Sequence, residues 1–269
     1  MKTAIRVVAL AGAFFLAAAA PTGAWADDAE EEATLFGGTL SGNATVATDY
    51  MFRGYTQTSG AAVQGGIDWS HPSGFYVGTW GSNLDWAGNS EVDIYAGYAW
   101  EVGGLGLDFG VFYFAYPGEN DCQEADGSSC EWDYMEFALS SGFDAGPLGL
   151  SLGVLYSPEY WGEDGAGGGD TWYVSGGVAF PSFQLGELEV AFDVNIGFTS
   201  ADEELFAEGE DSYMDWNAGL GVGLPGGLSV DLRYYGSDLD EDDVLAGGWT
   251  DDQADALEGH FVVAVGYEF

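Results

Sequence analysis

The strongest constraint on this chain is a period of two. Over 188–198, Leu188, Val190, Phe192, Val194, Ile196 and Phe198 alternate with Glu189, Ala191, Asp193, Asn195 and Gly197. Over 214–224, Met214, Trp216, Ala218, Leu220, Val222 and Leu224 alternate with Asp215, Asn217 and three glycines. The same rhythm runs through 261–269, ending at Tyr267, Glu268 and Phe269. Successive side chains of a strand point to opposite faces, so each run puts its bulky apolar groups on one face and its small or acidic groups on the other. These runs are nine to eleven residues long. Soluble strands usually stop at about 5–6 residues, whereas a tilted strand crossing a bilayer needs about 9–11.

Twelve such segments are expected, near 40–53, 61–70, 73–81, 91–101, 105–116, 131–142, 147–157, 171–180, 187–198, 212–224, 227–236 and 259–269. Short connections with turn chemistry, such as His71-Pro72-Ser73-Gly74 and Pro225-Gly226-Gly227, alternate with long ones near 54–60, 82–90, 117–130, 158–170, 199–211 and 237–258. Long and short loops then segregate to opposite ends of an up-and-down barrel. The expected fold is all-β: a transmembrane up-and-down antiparallel β-barrel of about twelve strands, spanning 39–269. Outward-phase aromatics gather at both ends: Trp69, Trp100, Phe180 and Phe269 toward the short turns, and Phe52, Tyr156, Trp172, Phe198 and Tyr234 toward the long loops. That is the girdle pattern of two membrane interfaces, though strands favour aromatics in any setting.

Residues 1–26 read as a cleaved secretory signal: Lys2 and Arg6, an apolar run from Val7 to Ala20, and Ala24-Trp25-Ala26 as the cleavage site. An acidic N-terminal segment, 27–38, follows and reads as disordered. Export implies an oxidising compartment, so Cys122 and Cys130 are expected to form a disulfide, a metal site lacking further soft ligands. No cofactor or metal is expected.

Removing the signal leaves Arg53 and Arg233 as the only bases, against 45 acids. Such a chain would repel nucleic acid. Acids crowd the last four long loops, where two explanations stand: adaptation to a saline habitat, or divalent cations bridging to lipopolysaccharide. The run Asp238 to Asp243 has the 1-3-5 acid spacing of a calcium loop but Asp243 where that loop needs glycine. Strand acids fall on the non-apolar phase. The candidate pore-lining residues are Asp49, Arg53, Asp68, Asp93, Asp108, Glu189, Asp193, Asp215, Asp231 and Arg233. Arg53 lies four residues from Asp49 and Arg233 two from Asp231, so each arginine is expected either to organise a carboxylate cluster or to form a single ion pair.

The segment Asp49-Tyr50-Met51-Phe52-Arg53-Gly54-Tyr55-Thr56-Gln57-Thr58 resembles the D-Y-x-F-R-G-x-S/T-Q-T segment of the TorF-family porins, and the likeness continues through 63–69, 74–83, 91–98 and Tyr116-Pro117-Gly118. The resemblance implies an outer-membrane barrel acting as a diffusion channel. Tyr267 and Phe269 resemble the C-terminal signal read by the barrel-assembly machinery of Gram-negative bacteria, which implies outer-membrane lipid and lipopolysaccharide as partners.

The expected function is therefore a porin-like channel of the Gram-negative outer membrane for small hydrophilic solutes or ions, its acidic lumen favouring cations. A structural or adhesive barrel with a closed lumen is the alternative. An enzyme is not expected: only His71 and His260 are available, and no G-x-S-x-G motif occurs. A soluble secreted β-protein is the remaining alternative.

Overall fold

The computed structural model describes residues 34–85, 89–118, 132–162, 169–205, 211–239 and 257–269. Within them the chain forms β1 (Gly38–Ala47), β2 (Ala62–Ser70), β3 (Phe75–Asn83), β4 (Ser90–Val102), β5 (Leu105–Ala115), β6 (Tyr134–Ala145), β7 (Leu148–Ser157), β8 (Thr171–Ala179), β9 (Leu188–Ala201), β10 (Ser212–Gly223), β11 (Leu228–Ser237) and β12 (His260–Glu268). Each strand pairs antiparallel with its sequence neighbours, and β12 pairs with β1, so the sheet is a closed twelve-stranded barrel. Closure leaves no unpaired sheet edge.

The alternation decides which face is which. Val46, Val63, Ile67, Ile94, Leu139, Leu152, Ile196, Leu232 and Val263 all stand exposed on the outside. Their strand neighbours of opposite phase, among them Asp93, Asp108, Asp215, Asp231 and Arg233, are buried inside. A soluble protein rarely exposes contiguous apolar patches beyond a few hundred square ångströms. This exterior is suited to hydrocarbon, and the barrel satisfies its backbone polar groups without help from water. Rings pair along the outer rim: Tyr156 with Trp172 at 4.7 Å, Tyr234 with Phe261 at 5.0 Å, and Tyr267 with Phe269 at 5.8 Å. The Phe269 phenyl lies where Gly42 has no side chain, and the two residues exchange backbone hydrogen bonds at 2.9 and 3.0 Å across the β12–β1 seam.

Two expectations are corrected. The first strand does not run to residue 53: it ends at Ala47, and residues 48–61 turn into the barrel. Phe52 is accordingly not part of a girdle but buried in the interior, against Phe114 at 6.4 Å. Thr34–Leu35, within the acidic N-terminal segment, pairs back onto Gly38 and Thr39. The signal segment, Cys122 and Cys130 with their expected disulfide, and most of the acidic loop runs lie outside the described residues.

Candidate functional site

The segment between β1 and β2 is a hairpin laid across the lumen. Met51–Phe52 pairs with Tyr55–Thr56, leaving Arg53-Gly54 as a two-residue turn. Both turn residues have positive φ, 46° for Arg53 and 90° for Gly54, the signature of a type I′ turn, which glycine at the second position permits. Asp49 organises the base. It accepts hydrogen bonds from the Thr56 and Thr58 hydroxyls, and Nδ1 of His260 on β12 lies 2.9 Å from its other oxygen. The Tyr50 backbone N–H donates to Thr58 Oγ1 at 3.0 Å, and the Gln57 N–H donates to the Tyr50 carbonyl at 2.7 Å.

The hairpin touches both sides of the barrel. Tyr50 packs edge-on against Trp80 of β3, and its hydroxyl donates to Glu91 of β4 at 2.8 Å. Burial, with Glu91 beside it, pushes the Tyr50 phenol well above its ordinary range, so it stays protonated and donating. At the tip, a Cβ on Gly54 would stand 2.7 Å from the Asp215 Cβ and 3.1 Å from the Gly236 carbonyl, placing the turn against β10 and β11. From there Arg53 reaches β6, where one terminal nitrogen donates to both carboxylate oxygens of Glu136 at 2.8 Å. The guanidinium also lies 4.3 Å from the ring centroid of Tyr173, 4.8 Å from that of Phe52 and 5.4 Å from that of Tyr160. Burial is the largest single influence on it and opposes its charge, but Glu136 together with Tyr160, Tyr134 and Tyr173 outweighs burial and raises its pKa well above the ordinary arginine range.

An aromatic cluster packs around this hairpin in the long-loop half. Phe114 stacks on Tyr134 at 4.3 Å, Tyr134 meets Tyr160 at 5.2 Å, and Tyr160 stacks on Trp161 at 5.0 Å, which in turn meets Tyr55. Leu84, Leu205 and Leu257, from the described ends of three long loops, are buried in the same cluster. The short-turn half differs. Several of its inward positions are small or amide side chains, such as Asn43, Gly66, Ser151, Ser175 and Gly177, which are half-buried and stand among charged and tyrosine side chains. Among the described residues the interior is thus packed with aromatic side chains toward the long loops and lined in part by small side chains toward the short turns.

Two walls of the interior carry charge differently. On the β9–β11 wall, Arg233 donates to both oxygens of Asp193 at 2.7 and 2.8 Å, to Asn217 at 2.7 Å and to Asp231 at 3.3 Å. On the β2–β5 wall there is no arginine among the described residues. There the Tyr95 hydroxyl donates to Asp68 at 2.6 Å, and the Tyr76 hydroxyl to Asp108 at 2.9 Å. Asp93 is wholly buried, and neither of its oxygens has a hydrogen-bond partner.

The candidate residues all point inward, but they do not form one site. Arg233 gathers Asp231, as its spacing implied, and also Asp193. Arg53 does not pair with Asp49: it pairs with Glu136, because residues 48–61 leave the strand and carry it across the lumen. Asp49 ties the hairpin base, Asp215 receives Tyr173 at 3.3 Å, and Glu189 receives Ser182 at 2.6 Å near the short-turn rim. Sequence reasoning missed Glu136 and Glu91. Their inward phase was readable on β6 and β4, but their partners lie on a segment expected to be strand. Among the described residues, no three acid or histidine side chains converge to hold a metal ion.

Residues 30–269 match the family described as "Bacterial protein of unknown function (Gcw_chp)". The chain belongs to the Gcw_chp family. The comparisons do not confirm the resemblance of residues 49–58 to TorF-family porins. No curated protein matches the chain in sequence. Among solved structures it is similar to a NanC porin, at 10% identity and a TM-score of 0.50, over 86% of this chain and 99% of that one. It is equally similar to a KdgM porin, at 10% identity and 0.51, over 85% and 99%. A KdgM porin in complex with disordered oligogalacturonate gives 8% and 0.50, over 86% and 98%. At these identities the likeness is one of fold: a twelve-stranded antiparallel closed barrel.

Proposed function

We propose that this barrel sits in the outer membrane of a Gram-negative bacterium and acts as a channel for small hydrophilic solutes, favouring cations, with the 48–61 hairpin setting its aperture. The observation that carries this reading is the inward phase of the strands. The inward phase carries Asp68, Asp93, Asp108, Asp193, Asp215 and Asp231 among small residues, while the arginines of the described interior are only Arg53 and Arg233, each already bound to carboxylates. A water-filled acidic lumen concentrates cations and repels anions. The fold likeness to porins and the local resemblance to TorF-family porins support the same reading. Tyr267 and Phe269 fit recognition by the barrel-assembly machinery, and acidic loops facing lipopolysaccharide fit bridging by divalent cations.

The test is reconstitution in planar lipid with a salt gradient. Discrete conductance with a reversal potential of the cation-selective sign is expected. Anion selectivity would overturn the charge reading.

A second reading has its own support. The aromatic layer of Phe114, Tyr134, Tyr160 and Trp161 is buried and fills the long-loop half. A structural barrel with a closed lumen follows if neither the native protein nor Arg53→Ala passes ions, since that variant removes the tie holding the hairpin across the lumen.

A further inference from the structure

The start of the barrel carries a feature that neither the channel nor the 48–61 hairpin uses. Thr34–Leu35 pairs with Thr39 and Gly38 of β1, which leaves Phe36-Gly37 as a two-residue turn. Both turn residues have positive φ, 51° for Phe36 and 81° for Gly37. Hairpin turns of this kind favour asparagine, aspartate or glycine at the first central position, and other residues rarely adopt that conformation. Phenylalanine gains nothing from the turn itself. Nor does it gain from packing within the chain. Phe36 is 89% exposed, the most exposed large apolar side chain among the described residues, and Leu35 beside it is 47% exposed.

The turn is nevertheless held firmly. The Trp69 indole of β2 lies where Gly38 has no side chain: a Cβ there would stand 2.6 Å from the ring. The indole N–H donates to the Leu35 carbonyl at 2.7 Å. That one bond satisfies a ring donor and a backbone carbonyl together, as a surrounding without water requires. The His71 ring lies 5.7 Å from the indole, and its Nε2 is 3.7 Å from where a Cβ on Gly37 would stand. Farther along the outward phase of β1, Leu40 is exposed and the Phe269 phenyl lies over Gly42. Leu35, Trp69, Leu40 and Phe269 thus extend the apolar exterior of the barrel down to the turn. Charge stops short of it: the acidic run ends at Glu32, and no charged residue occurs from 33 to 48.

We infer that the 34–39 hairpin is a lipid anchor, which inserts Leu35 and Phe36 among the phospholipid acyl chains of the leaflet at the short-turn end. The inference rests on the outer-membrane reading for its membrane, where that leaflet is the periplasmic one. It goes beyond that reading by assigning a role to a segment outside the barrel wall. Continuity with the apolar exterior selects lipid over a soluble partner. The lack of charge over 33–48 selects acyl chains over a headgroup of either sign. Acyl chains around Phe36 offset the strain of its turn by taking the ring out of water, which no contact within the chain does.

The experiment places the full mature chain, with Cys122→Ser and Cys130→Ser, in phosphatidylcholine vesicles and attaches one nitroxide at Leu35→Cys. Power-saturation spectroscopy compares its access to oxygen, which concentrates among acyl chains, and to a water-soluble nickel chelate. Nitroxides at Leu152→Cys and Asp144→Cys give the references for the barrel exterior and a short turn. The Leu35 label is expected to be as shielded from nickel as the Leu152 label. Adding Phe36→Asp should raise nickel access at the Leu35 label several-fold and leave the Leu152 label unchanged, with heat-modifiable migration confirming a folded barrel. If the cysteine-free chain fails to fold, Phe36→Trp in the native chain reads insertion as added fluorescence quenched by brominated phosphatidylcholine, and unquenched added fluorescence overturns the anchor. Nickel access at the Leu35 label equal to that at Asp144, or unchanged by Phe36→Asp, also overturns the anchor, while a shielded Leu152 label keeps the barrel in its membrane. Nickel access at the Leu152 label sinks the membrane reading and the anchor with it. Spin–spin broadening at the Leu35 label means that a second copy covers the turn, which overturns lipid as its occupant.

Discussion

Arg53 shows how one side chain joins distant parts of this fold. It occupies a positive-φ position that residues other than glycine rarely adopt, so its surroundings must repay the strain. They do so with the Glu136 pair and three ring faces. Both charged groups are almost fully buried, so removing either one leaves the other uncompensated. Glu136→Ala is expected to lower stability by about 3–5 kcal/mol, read by urea unfolding in micelles. Adding Arg53→Ala to it should recover much of that loss, and strict additivity in the double-mutant cycle would show that the pair is not coupled. The inward phase of Arg53 was legible in the sequence. Its partner was not, since the two residues lie 83 positions apart and nothing local links them.

At the scale of the element, the 48–61 hairpin carries the main departure from sequence expectation. The outward phase of β1 continues in aromatic residues at Tyr50 and Phe52, so the segment reads as a continuation of β1. The chain leaves the sheet because Asp49, Thr56 and Thr58 bond to one another and to the local backbone, offering an alternative to the ladder. The far end of the hairpin is tied by Asp85, whose carboxylate accepts from both the Ser59 hydroxyl and the Ser59 backbone N–H. Those donors hold the Asp85 carboxyl below the ordinary aspartate range. A depressed pKa stabilises the folded form at pH above the ordinary aspartate value, and that contribution is lost as pH falls through the lower, folded value. Protection of the amides of residues 57–61 against hydrogen exchange, taken relative to the intrinsic rate at each pH, is therefore expected to fall on acidification below about pH 4, and Asp85→Asn should flatten that dependence. Protection unchanged down to low pH would show that the tie contributes nothing.

For the molecule as a whole, the decisive property is the direction of its apolar face. Leu152 stands exposed near the middle of β7. If hydrocarbon surrounds it, Leu152→Arg should cost about 2–4 kcal/mol in lipid, the penalty for arginine at the bilayer midplane. If water surrounds it, the change should fall within about 0.5 kcal/mol, as for most surface substitutions. Unfolding in lipid vesicles distinguishes the two. The described interior has the opposite organisation, with acids and small residues on its walls and an aromatic cluster packed around the 48–61 hairpin toward the long loops.

Period and loop rhythm alone determined that this chain makes long antiparallel strands, about how many, and which residues of each face inward, because side-chain alternation is a local property of any strand. Only the tertiary structure decided that residues 48–61 fold into the lumen, that Glu136 rather than Asp49 meets Arg53, and that Asp193 and Asp231 on one wall meet Arg233 while Asp68 and Asp108 on the other meet tyrosine hydroxyls. Each of these depends on which strands lie beside or across from one another once the sheet closes. Closure brings together residues that no local pattern connects.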